Sequence, residues 1–228
     1  MRKTPVAVFF DVDFTLIRPG HRFLGPGYAE TCARHGVVVD QAGFETAVGA
    51  AAELLDPFDA RYDDEVFVHY TARIIEHMGG TGPGVPVAAR EIYDDWARHE
   101  HFEMYDDVPD TLRALERAGM RLGLISNSHR PLQTFAEHFA VPGLLSVTVS
   151  SAEFGFMKPD QRIFEEALRQ MQVDAADAVM VGDSLVHDVV GARQAGMRGV
   201  LVDRADRYQS VDADIPVIRS LTELADLL

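Results

Sequence analysis

The chain has 228 residues, 47% of them hydrophobic, which is enough material for one large domain with an insertion. The 36 acidic and 21 basic residues give a formal charge of −15, a balance that excludes the basic surface used to bind nucleic acid or anionic membranes. No stretch is apolar over the length that a transmembrane helix needs. The one cysteine, Cys32, predicts a soluble cytoplasmic protein without an intramolecular disulfide.

The first predicted element is a strand from about Val6 to Phe10. Its residues are all apolar, as in a strand that is buried on both faces of a sheet. Two carboxylates, Asp11 and Asp13, follow it directly. The pattern therefore predicts that this strand delivers two acids to one edge of a sheet.

The next part of the chain, residues 18–104, is predicted to be a small all-helical domain. Apolar residues recur three and four positions apart in the segments 28–35, 42–55, 65–78 and 87–99. The glycine-rich segment 79–84 is interpreted as a turn rather than a phosphate-binding loop, because no strand precedes it. The connections at the two ends of this domain, 17–20 and 102–107, are predicted to be hinges.

Strands and helices alternate in the remainder of the chain. The predicted strands are 122–126, 144–149, 178–181, 199–202 and 215–218, and the predicted helices are 109–118, 131–139, 160–171, 185–195 and 221–228. Such alternation predicts an α/β fold with a Rossmann-like, doubly wound parallel sheet. Residues 1–17 and 105–228 would form this α/β domain, with the helical domain 18–104 inserted after its first strand.

Polar residues follow the other predicted strands at the same edge of the sheet, where ligands bind in such folds. Ser126 and Asn127 follow the second strand and Asp183 the fourth, although a plain Ser-Asn turn would also explain the first pair. N-capping would also explain Asp183 and Asp188. Lys158 lies between the third strand and its helix. Only two of the 21 basic residues are lysines, which indicates that position 158 needs a compact ammonium.

Four short motifs, in this order, resemble those of the haloacid dehalogenase superfamily of hydrolases. They are Asp11-Val12-Asp13-Phe14-Thr15, Ser126-Asn127, Lys158-Pro159, and Gly182-Asp183 followed by Asp188. The resemblance covers the whole chain, because the helical insertion lies where this family carries its helical cap. It implies a Rossmann-like core with a small cap domain, and within the superfamily it is greatest to members of the phosphatase type.

The residues themselves suit the cleavage of a phosphomonoester. Asp11 is the candidate nucleophile, and Asp13 is the candidate group that protonates the leaving oxygen and then activates water. Lys158 would balance the charge of Asp11 and of the phosphoryl group, whose oxygens Ser126 and the main-chain N–H of Asn127 would bind.

A divalent cation is expected beside these acids, since carboxylates alone would repel a phosphate. Oxygen ligands with a phosphate in the coordination shell favour Mg²⁺. Asp11 and Asp183 are the candidate side-chain ligands. The resemblance implies that Asp13 also coordinates through its backbone carbonyl, and that Asp188 supports the metal or the lysine from behind. Thr15 is predicted to hold the loop or to contact the substrate.

The predicted function is a Mg²⁺-dependent phosphatase that acts on a small phosphomonoester through an aspartyl-phosphate. Asp13 disfavours a haloacid dehalogenase, since a halide leaves without a proton. Cleavage of phosphonates through a Schiff base is excluded because residues 18–104 contain no lysine. A sugar phosphomutase stays an alternative within the superfamily, and a binding or regulatory protein without catalysis is the alternative from another class.

Substrate choice is expected to come from the helical domain. Its candidate contacts are His21, Arg22, Arg61 and Tyr62, for which a solvated or packing role is the favoured interpretation. Phe14 stands where the superfamily most often has Gly or Asn, and is predicted to pack between core and insertion rather than to narrow the substrate cavity. Both a monomer and a homodimer are compatible with the sequence.

Overall fold

A computed structural model describes residues 4–55 and 60–228. The chain divides into two compact units, which we call the α/β unit (Met1–Arg18 with Met104–Leu228) and the helical unit (Pro19–Glu103). Within the described ranges, no helix has both the length and the apolar composition needed to cross a bilayer.

The α/β unit is organised around a parallel sheet of six strands. These are β1 (Ala7–Phe10), β4 (Arg121–Ser126), β5 (Leu145–Ser150), β6 (Ala178–Gly182), β7 (Arg198–Val202) and β8 (Val217–Ile218). Their order across the sheet is β5-β4-β1-β6-β7-β8, and every neighbouring pair is parallel. All residues of β1 are buried, which explains its uninterrupted apolar sequence.

Helical segments connect the strands of this sheet. The α-helices are α5 (Val108–Arg117), α6 (Phe135–His138), α7 (Ser151–Phe154), α8 (Gln161–Met171) and α9 (Gly191–Gln194). One core cluster packs Phe9 and Met180 of the sheet against Ile163 and Phe164 of α8. The parallel sheet with its helices confirms the predicted α/β fold class.

Several predicted helices of this unit differ in detail. The predicted helix 131–139 is a 3₁₀ turn, Leu132–Thr134, followed by α6. The predicted helix 185–195 begins as a π-helical segment, Leu185–Val190, before α9, and the last predicted helix is a 3₁₀ segment, Leu221–Asp226. Apolar spacing alone does not separate these close variants of the helix, since their periods differ by less than one residue per turn.

The chain order of the strands places a crevice at the centre of the sheet. From β1 the chain builds outwards through β4 and β5, then returns to the other side of β1 with β6. Ligands bind at such a reversal, beyond the carboxyl ends of the strands. The acids that follow β1 and β6 therefore lie beside each other at this edge.

The helical unit contains the four predicted helices. They are α1 (Gly25–Arg34), α2 (Phe44–Ala51), α3 (Asp64–His77) and α4 (Gly84–Asp95), with 3₁₀ turns at Gln41–Gly43 and Ala52–Leu55 on either side of α2. Asp63 caps α3 by accepting a hydrogen bond of 3.0 Å from the N–H of Glu65. The glycine-rich segment 79–84 is a turn leading into α4, as predicted.

Two short strands were not predicted. β2 (Ile17–Pro19) and β3 (Phe102–Met104) pair with each other in a two-stranded sheet, in the segments that had been predicted as hinges. Three residues are too few to show an alternating pattern of apolar side chains, so the sequence contains no signal for these strands.

Candidate active site

Asp11 lies directly after β1 and is nearly buried, with 7% of its surface exposed. Its backbone N–H continues the sheet by donating to the carbonyl of Val181 at 2.9 Å. One carboxylate oxygen accepts a hydrogen bond from Lys158 Nζ at 2.7 Å, and the other accepts one from Thr15 Oγ1 at 3.1 Å. The side chain is therefore held in one orientation at the carboxyl end of the central strand.

The ammonium of Lys158 is also buried, and it has three acceptors around it. Nζ donates to Asp11 Oδ1 at 2.7 Å, to Asp188 Oδ1 at 2.6 Å and to the carbonyl of Ile125 at 2.9 Å. Burial by itself would lower the pKa of Lys158, but the carboxylates of Asp11 and Asp188 outweigh burial and raise it. The two carboxylates therefore favour the charged form of the ammonium.

Asn127 fixes the backbone of this lysine. Its Nδ2 donates to the carbonyl of Lys158 at 2.9 Å, and its Oδ1 accepts from the Lys158 N–H at 2.7 Å. The sequence assigned Asn127 to phosphate binding through its main-chain N–H. The structure gives its side chain a separate role, which is to connect the end of β4 to the lysine.

Three carboxylates meet beside Lys158. Oxygen atoms of Asp11, Asp183 and Asp188 all lie within 4.8 Å of one another. Burial raises the pKa of Asp11 well above its usual range, and Asp188 and Asp183 add to that rise against the effect of Lys158. Burial, followed by the charge of Asp188, also raises the pKa of Asp183 to about 6, while Arg207 and Lys158 oppose this. Burial and the repulsion between the carboxylates therefore both disfavour the ionised forms of Asp11 and Asp183.

This donor set fits Mg²⁺. Carboxylate oxygens are the ligands that this ion prefers, and a divalent cation would offset the burial and the carboxylate repulsion that raise these pKa values. The cluster includes the carboxylate of Asp188, which the sequence had placed behind the metal site. It does not include the carboxylate of Asp13, which is consistent with coordination through the backbone oxygen alone.

The side chain of Asp183 is held by the loop that follows β7. Arg207 Nη2 donates to Asp183 Oδ2 at 2.7 Å and to its carbonyl at 3.0 Å, and the Tyr208 hydroxyl donates to the same carbonyl at 3.0 Å. Asp203 positions this loop by accepting hydrogen bonds from the N–H groups of Arg207 and Tyr208. The sequence predicted none of these contacts.

Asp188 is 1% exposed and accepts a hydrogen bond from the Ser184 N–H at 2.9 Å. Ser184, rather than either aspartate, caps the helical segment that follows β6. Asp188 is thus buried rather than solvated, and the N-cap of this segment is neither Asp183 nor Asp188.

Asp13 binds an arginine that the sequence analysis missed. Arg130 Nη1 donates to Asp13 Oδ2 at 3.1 Å and Nη2 to Asp13 Oδ1 at 3.0 Å, and Arg130 has no exposed surface. The signal in the sequence was weak, because Arg130 is one of many arginines and lies four residues beyond the first residue of the Ser126-Asn127 motif.

This arrangement of acids, lysine and strand ends agrees with the family comparison. A family model described as haloacid dehalogenase-like hydrolase matches residues 6–196. The chain belongs to this family. Among its relatives, human haloacid dehalogenase-like hydrolase domain-containing protein 3 is 30% identical over 96% of this chain and 90% of its own length.

Two further relatives match over nearly their full length. A glyceraldehyde 3-phosphate phosphatase from Methanothermobacter thermautotrophicus is 28% identical over 97% of this chain and 99% of its own. Among solved structures, magnesium-bound YfnB from Bacillus subtilis covers 99% of both chains with a TM-score of 0.76 and 20% identity. The last comparison supports the fold of this haloacid dehalogenase-like hydrolase, and at this identity it supports no more.

Phe14 has a left-handed backbone conformation. Its φ is 64°, the residue is 44% exposed, and its N–H donates to the Ile17 carbonyl at 2.7 Å. Gly and Asn tolerate this region better than other residues do. The backbone conformation thus explains the commoner residues of this hydrolase family at the position, and Phe14 adopts it at a cost of about 1–2 kcal/mol.

Arg22, one of the candidate substrate contacts, belongs to an internal polar network of the helical unit. Its guanidinium donates to Glu91 at 2.9 Å, to Thr31 at 2.5 Å and, through both Nε and Nη2, to Asp95 Oδ2. These bonds join the start of the unit to α1 and α4, so a structural role accounts for the residue.

The other three candidate contacts differ in exposure. The hydroxyl of Tyr62 pairs with that of Tyr93 at 2.5 Å, and an exposed His21 lies 3.1 Å from Glu30. Arg61 is exposed. Tyr62 is thus engaged within the helical unit, while His21 and Arg61 have solvent-accessible side chains.

Replacing Gly182 by alanine tests the packing of this cluster. A Cβ at position 182 would lie 2.5 Å from the Cβ of Asp188 and closer still to its carboxylate, so the Asp188 side chain, which bonds Lys158, would have to shift. We expect Gly182→Ala to lose at least about tenfold in turnover, because a catalytic group displaced by about 1 Å costs up to about 100-fold. Phosphate release would measure the loss of turnover, and a thermal melt would show whether the variant is folded.

Gly49→Ala is the matched control for this substitution. Gly49 lies in α2 and is exposed, and a Cβ added at this position would have no atom within 4 Å. We expect this variant to be as active as the wild type and up to about 1 kcal/mol more stable, since alanine favours helix. Wild-type activity in Gly182→Ala would show that turnover does not depend on the observed position of the Asp188 side chain.

Proposed function

We propose that this hydrolase is a Mg²⁺-dependent phosphatase of small phosphomonoesters, acting through an aspartyl-phosphate. The observation that carries the proposal is the oriented carboxylate of Asp11, bonded to Lys158 and grouped with Asp183 and Asp188 at the switch point of the sheet. The relative named glyceraldehyde 3-phosphate phosphatase supports the same class of reaction.

In the first step, an Asp11 carboxylate oxygen attacks the phosphorus of the ester. The bond between phosphorus and the leaving oxygen breaks, and Asp13 in its protonated form gives its proton to that oxygen, releasing an alcohol. Lys158 holds Asp11 in place and balances the negative charge that gathers around the phosphoryl group. Ser126 and the Asn127 N–H, at the end of β4, would bind the phosphoryl oxygens.

In the second step, water hydrolyses the acyl phosphate. Asp13, now ionised, takes a proton from the attacking water, and the bond between phosphorus and the Asp11 oxygen breaks. Inorganic phosphate leaves, the Asp11 carboxylate is restored, and Asp13 holds a proton again. Atoms and charges therefore return to the starting state after one turnover.

The carboxylates of Asp11 and Asp183, together with the backbone oxygen of Asp13, would hold the metal, and Asp188 would support the lysine and the cluster. Mg²⁺ would supply charge neutralisation at the phosphoryl oxygens. Thr15 orients Asp11 through its hydrogen bond. We further propose that residues 1–17 and 105–228 are the core domain and that residues 18–104 are the cap domain.

The presence of Asp13 favours a phosphatase over a dehalogenase, since a halide leaving group takes no proton. We expect purified protein to release phosphate from p-nitrophenyl phosphate and from small sugar and acid phosphates when Mg²⁺ is added. Activity should disappear with EDTA and return with Mg²⁺. Absence of phosphate release from a broad panel of esters, with Mg²⁺ present and the protein folded, would contradict the proposal.

A further inference from the structure

Arg130 binds Asp13, and the two proposed reaction steps assign no role to this arginine. Its guanidinium donates to both carboxylate oxygens of Asp13, in the two-pronged geometry that fits guanidinium to carboxylate. Arg130 is the largest fully buried side chain of the described residues. Burying an arginine is costly unless it is paired, so the pair is a strongly determined feature of the fold.

The backbone around Arg130 is fixed on both sides. Ser128 Oγ accepts a hydrogen bond of 2.9 Å from the Arg130 N–H, and Pro131 restricts the preceding residue to extended conformations. The guanidinium therefore approaches the site from the loop that follows β4, on the opposite side of β1 from Asp183. The hydrogen bond and the proline thus restrain the backbone of Arg130, from which the guanidinium reaches Asp13.

Asp13 has little freedom while this contact lasts. Both of its oxygens are occupied by Arg130, yet 17% of its side chain stays exposed, so the carboxylate is held in one orientation and is still reachable. A carboxylate has about four lone-pair sites, so each Asp13 oxygen keeps one that Arg130 does not use. A proton can be held or passed on at that site while the guanidinium stays bound.

We propose that Arg130 is a positioning residue, which holds the Asp13 carboxylate in the orientation required for proton transfer to the leaving oxygen and from water. The inference rests on the proposed phosphatase function, because it assigns Arg130 an effect only through Asp13. Arg130 itself touches no reacting atom in this role.

The test compares esters whose leaving groups differ in their need for a proton. Nitrophenolate leaves without one, whereas the alkoxide from glycerol phosphate must be protonated. The rate at which the phosphorylated enzyme forms is measured by rapid quench. In Arg130→Met we expect this rate to fall at least about tenfold with glycerol phosphate and less than about twofold with p-nitrophenyl phosphate. KM should change little, since the arginine does not bind substrate.

A second measurement examines whether Arg130 acts through Asp13. In an Asp13→Asn background, adding Arg130→Met should slow turnover by less than about twofold, because there is no carboxylate left to position. Arg121→Met is the control, since Arg121 lies at the opposite end of β4 and donates to the Met171 carbonyl at 2.6 Å. It should leave both first-turnover rates unchanged.

Arg130→Lys keeps a buried positive charge. If Arg130→Met does not fold, the rates with the two esters are compared in Arg130→Lys instead. A lysine provides one point of contact instead of two, so the same preference for the aryl ester is expected. Equal slowing with both esters, no slowing, or additive losses with Asp13→Asn would overturn the inference while leaving the proposed function intact. A wild-type protein that releases no phosphate would instead overturn the proposed function itself.

Discussion

Asp11→Asn is expected to reduce phosphate release by at least about 10⁴-fold, the scale of loss seen when an enzyme nucleophile is removed. The amide has no ionised oxygen with which to attack phosphorus, so no aspartyl-phosphate can form. The variant should fold, because Lys158 keeps its hydrogen bonds to Asp188 and to the Ile125 carbonyl. Steady-state release of phosphate and circular dichroism would establish both points.

The phosphorylated enzyme offers a more direct readout of the same prediction. Wild-type protein quenched in acid during turnover should carry phosphate on Asp11, and borohydride reduction of the acyl phosphate should convert that residue to homoserine, detected by peptide mass spectrometry. Asp11→Asn should carry none.

Asp107→Asn is the matched control. Asp107 is a partly buried carboxylate that pairs with Arg204, and its loss should cost about 1–3 kcal/mol of stability with turnover retained. Phosphate found on a residue other than Asp11 in the wild-type protein would contradict the assignment of Asp11 as the nucleophile.

Lys158→Arg is expected to lose at least about 100-fold in kcat and to lower the melting temperature. Three acceptors converge on a single nitrogen at 2.6–2.9 Å, from Asp11, Asp188 and the Ile125 carbonyl. A planar guanidinium spreads its donors over a larger area and cannot place them at one buried point. Displacing Asp11 by the extra volume would then slow the attack on phosphorus.

Lys158→Met separates the loss of charge from the change of shape. It leaves Asp11 and Asp188 buried without their cation, which costs about 3–5 kcal/mol when one partner of a buried pair is removed. We expect it to be less stable than Lys158→Arg in urea unfolding.

Arg169→Lys is the surface control, since Arg169 forms an exposed pair with Glu166, and it should stay within about 0.5 kcal/mol of the wild type. Near-wild-type turnover of Lys158→Arg would show that a compact ammonium is not required.

The scarcity of lysine in the sequence pointed to position 158 for a reason that the structure supplies. Three acceptors converge on the single nitrogen of Lys158, whereas Arg130 meets the two oxygens of Asp13 through two nitrogens. Phe14 is the opposite case. Its residue type gave no sign of the left-handed backbone angle, which became known only from the folded chain.

The sequence by itself determined the fold class and the acids at the ends of the strands. Alternating apolar runs and helical periods come from local chemistry, and parallel strands bring their carboxyl ends to one edge of the sheet, so Asp11, Lys158 and Asp183 were predictable as neighbours.

Only the tertiary structure decided which side chains bind one another. The contact of Asp13 with Arg130 spans 117 positions, and the contacts of Asn127 with the Lys158 backbone span 31. Pairing at such separations depends on the directions in which side chains leave the strand ends and on the space left by their neighbours. A linear pattern of residue types contains neither.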